Sequence, residues 1–470
     1  MKIDAIVEAM CSEIKRNIEA FGAKEDLSEL SEEGALRMSK ALQEALAAGG
    51  QAGYREFILS YERNVSVVVK GNTKLRFKQL SDKTFLTPFG KVTIPRRLYQ
   101  ADAGGSAHVP LDCAWGMEGE FATAEVREAI LYVSALVTPT EAETLFSKCA
   151  LFHPSSTAVK HLVAEMGTAL ERDGEKIDAA LRAEEAAPEG TVVMAASLDG
   201  VNVPLREPGA NRGRHAGRPD KAQQLQESPT AFKNAMVASV SFYGPPEEPE
   251  KPPVRLHSRY MARMPEERFP TMKRQFQAEI EAAEAQSGQD VTKVLVLDGS
   301  KSLWNYVKEQ PECAQYEKII DFYHTCEHLA KAAEALFGKQ SREGTRWFET
   351  YRNVLRERDR GGWDVLRSID YYRRTLKLTA AQQRAALDQR TFFANNHDRM
   401  TYASFRRRGL PIGSGVVEAA CKTLVKQRMC RSGMRWTRQG GQPILTMRAH
   451  IHSGRWDRFW QEHRRYKAAA

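Results

Sequence analysis

The chain has 470 residues, 42% hydrophobic and 27% charged, with a net charge of +9, which suits two to four globular domains. No apolar run approaches the ~18 residues that span a bilayer. The start, Met1-Lys2-Ile3-Asp4-Ala5, lacks the charged-then-apolar layout of a signal peptide, so a cytoplasmic protein with no membrane partner is expected. Seven cysteines, scattered and without a Cys-x-x-Cys, argue against a disulfide framework and a paired-cysteine zinc site, and reduced, mostly buried thiols are expected.

Residues 3–21 space Ile3, Ile6, Val7, Met10, Ile14, Ile18 and Phe21 as one helical stripe. Leu36, Met38, Leu42, Ala45 and Leu46 repeat it up to Gly49-Gly50, which predicts a stop. Between 64 and 100, alternating Val65, Val67 and Val69, then alternation around Pro88-Phe89-Gly90, predict a small β element. Gly104-Gly105 and Pro110 mark a linker. A helix from Ala124 to Val137 follows, and Thr138-Pro139-Thr140-Glu141 combines a cap, a first-turn proline and a capping-box glutamate. After the break at Phe152-His153-Pro154, a helix from Thr157 to about Leu170 completes helix-turn-helix proportions. Ser156, Thr157, Lys160 and His161 would then open a recognition helix toward a major groove, although any αα-hairpin can share this pattern. Glu171 to Glu189 has the composition of a helical spacer.

Next, residues 191–200 read as an apolar strand ending on Asp199-Gly200, with 201–205 returning antiparallel through that turn. Residues 208–230 read as a mobile loop, 234–243 as a third strand, and a Pro-rich linker and a helix (266–286) lead to 293–297. That run is apolar on both faces, which places it inside a covered parallel sheet, and it too ends on Asp-Gly, at Asp298-Gly299. A helix (302–309), a fifth strand (318–323) and a helix from Cys326 to Leu336 follow. His324 and His328 flank Cys326 and fit either a metal site or a polar helix start. The seventy residues before Gly409 look helical, with Trp347, Phe348 and Tyr351 on one face, and predict an all-α insertion.

From Arg399 to Ala470 there are 16 Lys and Arg against three acids, Glu418, Asp457 and Glu462, so the rest of the chain is slightly negative. Such asymmetry predicts a polyanion partner. A carboxylate such as Glu418 in a basic surface repels phosphate unless a cation intervenes; the alternative is a plain i,i+4 pair with Lys422. Helical spacing sets Glu418, Lys422, Val425, Lys426 and Met429 near one stripe, with Arg428, Arg431, Arg435 and Arg438 extending a phosphate footprint. Trp436 would stack on an unpaired base or serve as a buried anchor.

Asp before Gly is ordinarily a turn residue. The order strand with Asp199, antiparallel strands, helix, buried strand with Asp298, helix, strand, then a helix with Glu418 is nevertheless the ribonuclease-H-like arrangement. In it the first and fourth strands are neighbours, both Asp meet at one sheet edge and a helix adds the third carboxylate. Two Mg²⁺ ions ~3.5–4 Å apart would relieve the repulsion and drive an in-line displacement at phosphorus.

The chain also resembles bacterial insertion-sequence transposases of the DDE type. The resemblance covers most of the chain and is sharpest in Ser197-Leu198-Asp199-Gly200, Val296-Leu297-Asp298-Gly299, Asp321-Phe322-Tyr323-His324, the run Gly409 to Glu418, and Ser432 to Trp436. It implies Asp199, Asp298 and Glu418 as catalytic metal ligands for two Mg²⁺, with Mn²⁺ a substitute. It also implies double-stranded DNA partners (terminal inverted repeats and target) and a homo-oligomer, a dimer when assembled on DNA at the nucleoid. It breaks at Leu98 to Gly105, where related proteins often carry a cysteine pair and this chain has none, so a zinc-stabilised N-terminal module is not carried over. The expected layout is N-terminal helices and β element (1–115), helix-turn-helix-like region and spacer (116–189), catalytic core (190–338), all-α insertion (339–408), and Glu helix with basic C-terminal region (409–470). A structure-selective nuclease of the same fold and a non-catalytic DNA-binding protein are the alternative functions.

Overall fold

The computed structural model describes residues 3–25, 31–206 and 230–469; nearly all of the stretch expected to be a mobile loop lies outside them. The chain is mixed α/β and forms two compact units, Met1–Thr168 with Lys467–Ala470, and Ala169–Tyr466. The boundary falls within one helix, so the expected region 116–189 is shared between them. Among the described residues no helix is long and apolar enough to cross a membrane.

The first unit opens with α1 (Ile3–Gly22) and α2 (Glu32–Leu59). The predicted stop at Gly49-Gly50 does not occur, because the glycines serve as contact surface. A Cβ on Gly49 would come 2.5 Å from the Ile14 side chain and one on Gly50 2.3 Å from the Phe89 ring. Strands β1 (Val67–Lys70), β2 (Thr73–Thr87) and β3 (Gly90–Gln100) form an antiparallel sheet in that order. The predicted Pro88-Phe89-Gly90 turn joins β2 to β3, with Gly90 at φ 106°. A short α3 (Pro110–Trp115), α4 (Ala124–Leu136) and α5 (Pro139–Cys149) follow. The predicted capping box is present: Glu141 N–H donates to Thr138 Oγ1 at 3.2 Å, and Thr138 N–H donates to Glu141 at 2.8 Å. The expected helix and spacer are one continuous α6 (Ser156–Glu184), whose Leu162, Met166, Leu170, Asp173, Ile177 and Leu181 keep a buried or half-buried stripe at steps of three to four residues.

The second unit holds a five-stranded sheet in the order β6-β5-β4-β7-β8. Its strands are β4 (Val193–Arg206), β5 (Thr230–Pro246), β6 (Pro253–Arg263), β7 (Thr292–Leu297) and β8 (Glu317–Ile320). The first and fourth strands are neighbours and parallel, as the sequence predicts. Two expectations fail and cancel in the strand count. Asp199-Gly200 is not a hairpin turn, since β4 runs straight through it and pairs with β5 from Val193↔Tyr243 to Arg206↔Thr230. The Pro-rich linker instead contains β6. Its buried face carries Arg259, 1% exposed, and a strand covered by ion pairs has no apolar alternation to read.

Helix α7 (Pro270–Gln286) covers the sheet with Met272, Phe276 and Ile280, and β7 is buried on both faces, as its sequence predicts. The expected fifth strand is shorter than predicted, because Asp321 ends it and caps a helix. Helices α8 (Lys301–Lys308), α9 (Phe322–Phe337), α10 (Arg342–Glu357), α11 (Gly361–Thr375), α12 (Ala380–Asn396) and α13 (Tyr402–Arg407) follow. Those of the insertion share the sheet's core through Trp347, Leu366 and Phe393. All seven thiols are free, but four, Cys11, Cys113, Cys149 and Cys430, are exposed, against the expectation that most would be buried.

Buried ions lock the back of this unit. Arg455 bonds Glu185 (2.6 Å) and Glu279 (2.5 Å), and Arg259 Nε lies 3.1 Å from Glu185. Beside them His450 Nε2 lies 3.5 Å from Asp178 Oδ1. Burial pushes Asp178 up to about 6 and His450 down to about 3. The folded-state pKa of Asp178 is raised, so protonating it as pH falls through 6 adds stability. That of His450 is depressed, so the unfolded chain takes up its proton first and stability falls below about 6.5. The two oppose each other between about pH 6 and 4. Asp178→Asn removes the first alone, and its melting temperature should fall more steeply than wild type over this range; equal slopes in thermal melts would refute the coupling.

Candidate active site

Strands β4 and β7 pair through Ala195↔Val294 and Ala196↔Leu295. The same register, carried three residues on, would set Asp199 level with Asp298, where β7 has ended and β4 runs on to Arg206; the carboxyl end of a parallel strand is where open α/β sheets bind ligands. Asp298 is held in a tight turn: its Oδ1 accepts from Ser300 N–H at 2.8 Å and its carbonyl from Trp304 Nε1 at 2.7 Å. Gly299 has no room for a side chain, because a Cβ would lie 2.3 Å from the Phe392 ring. Helix α12 of the insertion is thereby seated against the Asp298 turn.

Glu418 comes from α14 (Gly415–Ala420), which continues as a π-helical stretch (Cys421–Lys426) and a last turn (Gln427–Met429). The preceding loop is pinned to the sheet. Phe322 N–H donates to Ile412 O at 2.9 Å. The fully buried Asp321 accepts from Ser414 N–H and Oγ with one oxygen and from His324 N–H with the other. Ser414 Oγ also reaches Glu418 Oε1 at 2.8 Å, so its single hydrogen is shared between two carboxylates. Among the described residues no Glu418–Lys422 ion pair forms. Three residues past Glu418, the Cys421 thiol donates to Asp199 Oδ2 at 3.5 Å and ties this helix to β4.

The electrostatics link all three acids. Burial raises the Asp199 pKa, and the charges of Asp298 and Glu418 raise it further, against hydrogen bonds from Gly200 N–H and Cys421. Burial, with the Asp199 charge behind it, pushes the Cys421 thiol up, which keeps it a donor. The acids do not converge tightly. Among the described residues, the set of three ligand-type side chains with atoms all within 4.8 Å of one another is His108, Cys113 and Glu118. Asp199, Asp298 and Glu418 thus form an open cluster of oxygen donors, the ligand type that hard divalent cations take.

The predicted DNA-contacting residues divide. Lys422, Lys426, Arg431 and Arg435 are exposed, as are Thr157, Lys160 and His161, with Ser156 half-buried. His161 pairs with Glu165 on its own helix at 3.5 Å. Arg428, by contrast, is only 2% exposed, with its guanidinium 5.0 Å above the Trp436 ring, so in this structure it supports the fold and is not presented to phosphate. Trp436 is an anchor: Nε1 donates to Met429 O at 2.9 Å, and its backbone bonds Pro204 and Arg206 at the end of β4. The predicted stripe breaks as well, since Val425 and Met429 are fully buried. The π-helical stretch shifts the register, and the buried Arg448 donates to the carbonyls of Leu424 and Thr423. Of the histidine pair, His324 lies in the first turn of α9 with its N–H bonded to Asp321, and His328 stacks on Phe392 and bonds Gln389.

Compared with known proteins, the chain matches no family model and no curated protein.

Asp321, Ser414 and Cys421 are the functional candidates that sequence reasoning missed. The signal available was two motifs far apart in sequence, Asp321 to His324 and Gly413 to Glu418, whose contact only the fold creates. Asp321→Ala strands the Ser414 and His324 N–H groups and should cost on the order of 2–4 kcal/mol, with Asp321→Asn losing less because it keeps one acceptor. Denaturant titrations placing both within 0.5 kcal/mol of wild type, roughly the scale of ordinary surface substitutions, would show that Asp321 does not hold the Glu418 loop.

Proposed function

We propose that the chain is a DDE-type transposase with a ribonuclease-H-like catalytic core, cleaving DNA strands at transposon ends and joining them to target DNA. The observation that carries this reading is the parallel pairing of β4 with β7, with Asp199 and Asp298 in continued register and Glu418 on a helix tied to Asp199 through Cys421. Support for the fold comes from the order β6-β5-β4-β7-β8, three antiparallel strands followed by two parallel ones.

Asp199, Asp298 and Glu418 would hold two Mg²⁺. Bound there, the ions supply charge neutralisation and activation of a water or 3′-hydroxyl for displacement at phosphorus. The protein's own part is positional. The Ser300 N–H and Trp304 indole fix the turn that bears Asp298, Asp321 and Ser414 fix the start of the Glu418 helix, and the Cys421 thiol orients the Asp199 carboxylate. The exposed Lys422 and Lys426 would meet phosphates and so orient the strand, while Thr157, Lys160 and His161 would read the terminal repeats.

The test uses the full chain, Mg²⁺ and DNA from the regions flanking its coding sequence. Asp199→Ala, Asp298→Ala and Glu418→Ala should each abolish strand cleavage while binding DNA as wild type does. Lys422→Gln and Lys426→Gln should retain cleavage at saturating DNA and lower the slope of log K against log salt by roughly 0.9 per lost duplex contact. Cleavage at wild-type rate in any triad variant removes that residue. Cleavage of branched DNA without strand transfer would favour a structure-selective nuclease, and binding with no cleavage by wild type a non-catalytic DNA-binding protein.

A further inference from the structure

The strongest feature outside the catalytic cluster lies in the first unit. His108 is fixed opposite Tyr99 of β3 by two backbone hydrogen bonds, each 2.8 Å. Cys113 lies on α3, and Glu118 follows just past the left-handed Gly116 (φ 71°) that ends this helix. The helix itself is clamped to β3 by the buried Arg96–Asp112 pair, and Met117, 1% exposed, anchors the turn before Glu118. Three donors of different chemistry therefore meet on backbone that is already fixed. Cys113 Sγ lies 3.8 Å from His108 Nδ1 and 3.3 Å from Glu118 Oε2, and all three ligand atoms lie within 4.8 Å of one another.

We propose that His108, Cys113 and Glu118 bind a zinc-like divalent ion. A tetrahedral Zn²⁺ with bonds of about 2.3 Å to sulfur and about 2.0–2.2 Å to nitrogen or oxygen sets adjacent ligand atoms about 3.5 Å apart, and the two contacts of the thiol bracket that spacing. Nitrogen, thiolate and carboxylate together favour a borderline-soft ion over Mg²⁺, so this site and the carboxylate cluster select different metals. Lys70 lies 3.8 Å from Glu118 Oε1, the other carboxylate oxygen, and leaves Oε2 turned to the thiol. Binding displaces the thiol proton to solvent, and with three protein ligands the fourth position goes to water. The ion would fasten the segment after β3 to α3 and to the turn beyond it, the connection that the sequence shows only as a Gly- and Pro-marked linker. The proposal is independent of the catalytic reading.

The test is a titration of chelator-treated full-length protein with Co²⁺, followed by the thiolate-to-cobalt charge-transfer band. Wild type should bind one equivalent with this band, and excess Zn²⁺ but not excess Mg²⁺ should erase it. Cys113→Ser should lose the band; His108→Gln and Glu118→Gln should weaken binding at least tenfold. Cys149→Ser and Asp199→Asn, which alter a second exposed thiol and the carboxylate cluster, should leave it unchanged. Zn²⁺ should raise the melting temperature of wild type and not of Cys113→Ser, which separates lost binding from lost folding. No band in wild type, or a band that survives Cys113→Ser, overturns the proposal.

Discussion

The second unit brings three carboxylates, Asp199, Asp298 and Glu418, within electrostatic reach of one another, and the structure around them holds each in place. Asp199 is half-buried and sits under the charges of Asp298 and Glu418, and such a cluster persists only where its backbone is overdetermined. Each acid has its own restraint. Fourteen paired residues hold Asp199 within β4, the Ser300 and Trp304 donors fix the Asp298 turn, and the buried Asp321 fixes the loop before Glu418. None of these restraints neutralises the negative charge. That leaves three carboxylates near one sheet edge, the arrangement on which the proposed metal chemistry rests.

The basic C-terminal region shows how composition and placement differ. Its 16 Lys and Arg suggest one large surface for a polyanion, yet several are structural. Arg428 lies over Trp436, Arg448 satisfies carbonyls of the π-helical stretch, and Arg455 joins Glu185 and Glu279 in the buried ion network. Burial pulls the Arg448 guanidinium down to about 10, the cost of desolvating a charge that answers to backbone dipoles. The π-helical stretch itself keeps Lys422 and Lys426 exposed while Val425 and Met429 turn to the core.

Much of the architecture was legible because local chemistry and burial agree. The Thr138 capping box, the Pro88-Phe89-Gly90 turn and the doubly buried β7 each have a short-range cause, and the adjacency of first and fourth strands follows from the order of elements. The failures have long-range causes. Gly49 and Gly50 look like helix stops, but α1 and Phe89 pack against them. Asp199-Gly200 looks like a hairpin turn, but pairing with β5 holds it extended. β6 is invisible to apolar alternation because Arg259 is buried by ion pairs. At the candidate site the sequence offered the three acids as candidates. It did not offer their supports, since Asp321–Ser414 and Cys421–Asp199 contacts join residues 93 and 222 positions apart.

The central claim is that these three acids together hold metal, and iron-directed cleavage tests it most directly. Fe²⁺ substituted for Mg²⁺, with ascorbate and peroxide, generates hydroxyl radicals that cut the backbone beside the bound ion. The account predicts cuts clustered near residues 199, 298 and 418, suppressed together by excess Mg²⁺ and lost together in Asp298→Asn. Cuts near only one of the three positions, or a pattern unaffected by Mg²⁺, would contradict it.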